Sequence, residues 1–145
     1  MKTLLLLRHG KSSWSDEALA DHDRPLKKRG REAADRIGRL LSESNLVPEH
    51  VLTSSAVRAV ETTQRVIQAA KWHGNAEVMP GLYHAEPNGL VAIVSHVPNR
   101  VERLLVVGHN PGLENWLIRL IGRIETFPTA DRKSTRLNSS HVSES

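Results

Sequence analysis

Arg8-His9-Gly10 follows directly on the four leucines of "LLLLRHG", and Gly108-His109-Asn110 follows a second apolar run, "RLLVV". Between them, Arg58 stands in "LTSSAVRAVETT". Two imidazoles and two guanidinium groups at the ends of apolar runs suit the handling of a phosphoryl group. Such a group presents three charged equatorial oxygens, which guanidinium forks match with paired hydrogen bonds that an ammonium cannot reproduce. A neutral imidazole, with an ordinary pKa of about 6.5, can attack phosphorus in line and carry the group covalently. His9 is therefore the candidate nucleophile. Gly10 permits close backbone approach, so that a main-chain carbonyl or amide can hold the ring and the phosphate in register. Arg8, Arg58 and His109 are the candidate donors to the phosphoryl oxygens, stabilising charge in the transition state.

Each residue also has a plainer reading. A lone strand-end histidine usually bonds to backbone, and Arg58 alone would be read as pairing with Glu61 or Glu32 on a helix surface. It is the combination that favours chemistry. Asp21, His22 and Asp23 look like a metal cluster, but adjacent side chains seldom face one ion together, so they are read as loop packing and no metal is expected. Asp16, Glu17 and Glu86 are available proton donors, and Tyr83 or His84 can approach the mouth of a site. Trp14 flanks a substrate imidazole or covers the core, and Lys11 adds positive potential or is solvated. His50, His73, His96 and His141 are assigned no chemistry.

These residues need elements to position them. Thr3 to Leu7 reads as a short, fully buried strand, as does Arg103 to Val107. Val51 to Thr53 is a brief third strand, and a fourth around Glu77 to Leu82 is interrupted by Pro80 and Gly81. Helical faces fall between them: Ala33, Ile37, Leu40 and Leu41; Val60, Ile67 and Ala70; Leu113, Leu117, Leu120 and Ile121. Ser54 and Ser55 are available to cap the second helix, Pro111 and Gly112 mark the turn into the third, and a short helix runs from about Pro87 to Ser95. The alternation predicts an α/β domain with a largely parallel central sheet and helices on both faces. In such a sheet, ligands gather at the carboxyl ends of the strands, where the arginines and histidines lie.

With 145 residues, 39% of them hydrophobic, the chain can bury one core. The apolar run Leu4–Leu7 is too short for a signal peptide's apolar region of roughly 7 to 15 residues. There is no cysteine, which excludes disulfides and a thiolate nucleophile and fits a reducing cytoplasm. The net charge of +4 fits an anionic substrate, while 3% aromatic content is poor material for stacking bases. Lys27, Lys28, Arg29 and Arg31 read as a solvated helix face. Neither a nucleic-acid nor a membrane partner is expected.

From Asp131 onward, "DRKSTRLNSSHVSES" holds only Leu137 and Val142 as sizeable apolar residues. Its first eleven residues can be read as one frame of a common sequencing-library adapter. The expectation is a domain over 1–130 followed by a non-native, disordered tail over 131–145.

The ordered set "LLLLRHGKSSW", "DHDRPLKKRGREAA", "LTSSAVRAVETT", "GLYHAEP" and "LLVVGHNPGLE" resembles the histidine phosphatase superfamily and, within it, the SixA-like phosphohistidine phosphatases. The resemblance covers Met1 to about Ala130. It implies a three-layer α/β/α, phosphoglycerate mutase-like fold, no metal or other cofactor, and a phosphorylated His9 intermediate hydrolysed by water, with Arg8, Arg58 and His109 completing the phosphate pocket. Members of the group continue past "FPTA" into further strand-forming sequence, so the sheet is expected to lack one or two C-terminal edge strands. No counterpart of the general-acid carboxylate of many superfamily members is evident, and SixA-like members are similar in lacking it. An alkoxide needs a proton in the transition state, whereas imidazole leaving from phosphohistidine is a far better leaving group, so weak acid catalysis favours a phosphohistidine-bearing protein as substrate. The alternatives are a small-molecule phosphomonoesterase using the same pocket and an inert domain that binds phosphoproteins. Oligomeric state is not legible.

Overall fold

The computed structural model describes residues 2–10, 13, 15, 16, 18–121 and 142–144. Five strands form one sheet: β1 (Lys2–Arg8), β2 (His50–Ser54), β3 (Glu77–Met79), β4 (Arg103–Gly108) and β5 (Val142–Glu144). Their spatial order is β3-β2-β4-β1-β5. The first four are mutually parallel, and β5 runs antiparallel to β1.

Alternation along each strand sends side chains to two separate cores. On one face, Leu5, Leu7, Val51, Leu105 and Val107 pack against α1 (Lys28–Glu43) and α2 (Val57–Ala69). On the other, Leu6, Leu52, Leu104 and Val106 meet Leu82, α3 (Pro87–Ser95) and α4 (Gly112–Ile121). Because both faces are covered there, the central strands β1 and β4 carry continuous apolar runs, Leu4–Leu7 and Leu104–Val107, rather than alternating. Leu5, Leu6 and Leu7 are at most 1% exposed, and burying each contributes about 1.5–3 kcal/mol. The result is the three-layer α/β/α architecture expected of a phosphoglycerate mutase-like domain. No helix among the described residues is long and apolar enough to cross a membrane.

Four local readings are corrected. The buried residues of α2 are Arg58, Ala59, Thr62, Thr63 and Val66; of the three expected, Ala70 is buried just beyond the helix and Ile67 packs half-buried against the core, while Val60 is only half-buried. Thr62 and Thr63 can be buried because their hydroxyls donate to the carbonyls of Arg58 and Ala59 one turn back, at 2.7 and 2.8 Å. α1 packs closely there: a Cβ on Gly38 would stand 2.4 Å from the Val66 carbonyl oxygen. The third strand in the chain stops at Met79, and Pro80–Leu82 turns into a 3-10 helix, since proline donates no ladder hydrogen bond. The serines do not cap α2 in the usual manner, for its N-cap is Ala56.

The fourth correction concerns the sheet edge. Lys2, Thr3 and Leu4 pair with Glu144, Ser143 and Val142, so three residues of the tail cover the edge of β1 that was expected to be bare. Main-chain pairing needs no apolar side chain, which is why composition did not reveal it. The remainder of 131–145 lies outside the described residues, as do Lys11, Trp14 and Glu17.

Candidate active site

Parallel pairing of β1 with β4 aligns Arg8 with Gly108. The two strands therefore end level, and the next residues of each, His9 and His109, emerge side by side. The His9 amide closes the ladder on the Gly108 carbonyl at 3.2 Å. The imidazole centroids are 5.0 Å apart. β2 ends on the other side of β4, with Thr53 opposite Val107. From there the chain turns into α2, whose first turn carries Arg58 back to the histidines.

The environment sets which nitrogen of His9 is free. His9 Nδ1 lies 2.6 Å from the Gly10 carbonyl oxygen. A carbonyl only accepts, so Nδ1 carries the proton and Nε2 holds the lone pair. Arg58 Nε donates toward that Nε2 at 3.3 Å. Burial, reinforced by the positive charges of Arg58, Arg8 and Arg24, lowers the His9 pKa to about 4. Burial is also the main reason that His109 falls to about 3, with His9 and Arg58 adding to it. Both rings are neutral at ordinary pH. His109 Nε2 lies 2.7 Å from Ser54 Oγ.

Gly10 acts differently from expectation in one respect. Its carbonyl holds the His9 ring, but its amide donates to Thr62 Oγ1 at 3.0 Å rather than facing an open phosphate site. A side chain there would meet the Gly30 backbone at 3.1 Å, so this glycine also lets the loop approach α1. Arg8, the last residue of β1, bears on His9 through its charge.

Asp21 is the site residue that the sequence reading passed over. Its carboxylate accepts from Arg24 Nη2 at 2.7 Å and from Arg58 Nη2 at 3.1 Å, and also from the Tyr83 hydroxyl. The Tyr83 hydrogen bond, ahead of the two arginines, holds the Asp21 carboxyl well below the ordinary carboxylate range. Burial and the bond to Asp21 push the Tyr83 phenol up. Arg24, 6% exposed, completes the cluster. Burying an unpaired guanidinium is costly and demands an acidic partner nearby, which Asp21 supplies; the burial of Arg24 is visible only in the structure. His22 pairs with Ser55 at 2.9 Å and with Asp23 at 3.3 Å, as loop packing. Glu61 accepts the Leu26 amide instead of pairing with Arg58. Asp16 accepts the Ala18 amide.

An open cleft of about 760 Å³ leads outward, lined by Arg58, His109, Tyr83, His84, Glu86 and Arg119 among others. The space exceeds what a bare oxyanion needs, and Arg58 and His109, the two neighbours of the His9 ring, line it.

Comparison with known proteins agrees with the fold. Residues 4–86, more than half of the chain, match the histidine phosphatase superfamily (branch 1). An uncharacterized chloroplastic protein of Arabidopsis thaliana is 33% identical over 83% of this chain, and the match spans 60% of that protein's own length. A crystal structure from Agrobacterium tumefaciens, assigned as the phosphohistidine phosphatase SixA, superposes with a TM-score of 0.80 at 28% identity, covering 89% of this chain and 87% of that one. The protein histidine phosphatase SixA solved with tungstate, an oxyanion, gives 0.79 at 26% identity, covering 88% and 83%. With the fold, the ordered motifs and the family match in agreement, the chain belongs to the histidine phosphatase superfamily, branch 1.

Proposed function

We propose that the protein hydrolyses phosphohistidine on a protein substrate in two steps through His9. The observation that carries this reading is the Arg58 Nε contact on His9 Nε2 at 3.3 Å, which sets a guanidinium beside the one imidazole nitrogen with a lone pair to donate.

In the first step Nε2 attacks phosphorus, the Nε2–P bond forms, and the P–N bond to the substrate breaks. The electron pair leaves on the substrate imidazole, which departs neutral when its other nitrogen is protonated. In the second step a water oxygen attacks phosphorus and the Nε2–P bond breaks, returning the electron pair to Nε2. The water's protons leave on inorganic phosphate or pass to solvent. Through both steps the Gly10 carbonyl keeps the proton on Nδ1. Arg8, Arg58 and His109 stabilise the equatorial oxygens. Arg58 has five N–H groups and at rest spends three, on His9, the Asp21 carbonyl and the Asp21 carboxylate. When the Nε2 lone pair bonds to phosphorus, the Nε–H that pointed at it is freed, so it and the two unspent N–H groups can serve the phosphoryl oxygens.

The similarity to SixA structures supports a phosphoprotein substrate. Glu86 on the cleft wall is the one observation favouring a phosphate ester, because a carboxyl there can protonate an alkoxide. Purified protein incubated with a histidine-phosphorylated carrier domain, and separately with aryl and sugar phosphates, distinguishes the readings. Phosphate release should be fastest from the carrier domain, and an alkaline quench should trap label on wild-type protein but not on His9→Ala. Faster release from esters supports a phosphomonoesterase, and no release from any supports a phosphoprotein-binding domain.

A further inference from the structure

Ser54, the last residue of β2, is fully buried. Its Oγ accepts the Ala56 amide at 3.2 Å and stands 2.7 Å from His109 Nε2. Those are its side-chain hydrogen bonds among the described residues. A serine hydroxyl has a single proton, and His109 Nε2 is the acceptor within its reach. Were Nε2 to donate instead, the hydroxyl proton would be left buried without an acceptor, which is costly. Ser54 therefore donates and Nε2 accepts.

A neutral imidazole carries one N–H, so that proton must sit on Nδ1. His109 Nδ1 is buried and has no partner among the described residues. With Nε2 occupied, Nδ1 is the nitrogen left for a ligand, and its ring neighbours His9 at 5.0 Å between centroids. A phosphoryl oxygen accepts hydrogen bonds and repels lone pairs. Only one of the two tautomers of His109 can therefore serve the site.

We infer that Ser54 is a positioning residue that holds His109 in the Nδ1–H tautomer, leaving its ring N–H directed to a phosphoryl oxygen. Burial, which keeps His109 neutral, is what makes the tautomer matter, for a cationic ring would donate from both nitrogens. The catalytic consequence rests on the phosphatase reading; the tautomer rests on geometry alone.

The test is the ring-nitrogen NMR spectrum of histidine-labelled wild-type protein without substrate, with His109 assigned by its loss in His109→Gln. A pyrrole-like Nδ1 and a pyridine-like Nε2 are expected, with Nδ1 responding to added tungstate or inorganic phosphate. Ser54→Ala should move the two signals toward averaged values and lower kcat by at least about tenfold, and Ser54→Thr, which keeps the hydroxyl, should restore both. A pyrrole-like Nε2 in the wild-type protein overturns the inference, whether or not Ser54→Ala folds. A protein that shows the expected tautomer but releases no phosphate leaves the role of Ser54 standing and removes the phosphatase reading.

Discussion

Asp21 holds Arg58 at two points, accepting from Nη1 on its backbone carbonyl at 2.6 Å and from Nη2 on its carboxylate at 3.1 Å. A guanidinium gripped in this way cannot rotate away from His9. Its position is thus set by a 3-10 turn, Asp21–Asp23, that lies far from α2 in the chain.

Asp21→Ala removes the carboxylate and leaves the carbonyl. Hydrogen bonds to charged groups contribute about 1.5–3 kcal/mol, so kcat/KM should fall roughly 10- to 100-fold as Arg58 loses its fixed geometry. Steady-state kinetics on a phosphohistidine substrate checks this, and an unchanged kcat/KM would show that the carboxylate does not position Arg58.

His9→Ala should lower turnover by on the order of 10³-fold or more while the melting temperature stays within a few degrees, because the ring's hydrogen-bond partners are the adjacent Gly10 carbonyl and Arg58, and Arg58 keeps its two bonds to Asp21. Arg58→Lys should cost about tenfold or more, since an ammonium cannot fork two oxygens. Retained activity in His9→Ala would mean that the nucleophile lies elsewhere.

Acid should destabilise the fold before most carboxylates protonate. In the unfolded chain both histidines take up a proton at about 6.5, whereas in the folded chain His9 does so at about 4 and His109 at about 3. The unfolded state binds more protons between these values, so the contribution is complete above about pH 6.5 and is lost as pH falls through the folded values. The urea midpoint should therefore drop between about pH 6.5 and 4, and His9→Gln should flatten that drop. His9 and His109 ring signals that titrate near 6.5 would refute the prediction.

Two glycines give opposite signs. A Cβ on Gly38 would sit 2.4 Å from Val66 oxygen and 2.6 Å from Ala69 Cβ, so Gly38→Ala must push α1 and α2 apart at a cost of about 1–3 kcal/mol. A Cβ on Gly89, inside α3, would meet only Ala85 Cβ at 4.0 Å. Gly89→Ala should stabilise by up to about 1 kcal/mol. Thermal denaturation of the pair decides, and equal shifts would contradict the packing described here.

Much of this architecture was legible along the chain. The strands ending in Arg8 and Gly108 announced themselves as short apolar runs, and α3 was read with its bounds because Pro87 opens it and the next proline, Pro98, lies beyond its end. The buried face of α2 was misread because threonines count as polar by type, yet become buriable once their hydroxyls bond to the preceding turn. Asp21 was passed over because its neighbours His22 and Asp23 pack locally, and nothing in the spacing distinguishes it from them. The strand Val142–Glu144 escaped notice because a ladder partner is chosen by main-chain geometry.

What the sequence determined by itself was the set of chemistries available and the elements that carry them: imidazoles and guanidinium groups at the ends of buried strands, with an α/β alternation between. Residue type and hydrophobic period are local properties, and both survive in the bare order of letters. The tertiary structure alone decided which nitrogen of each imidazole is free, through Gly10 for His9 and Ser54 for His109, and which acid clamps Arg58. Those choices depend on hydrogen-bond partners brought within about 3 Å by parallel strand register and by the Asp21–Asp23 turn, and apart from the adjacent Gly10 the partners come from segments that are remote in the chain.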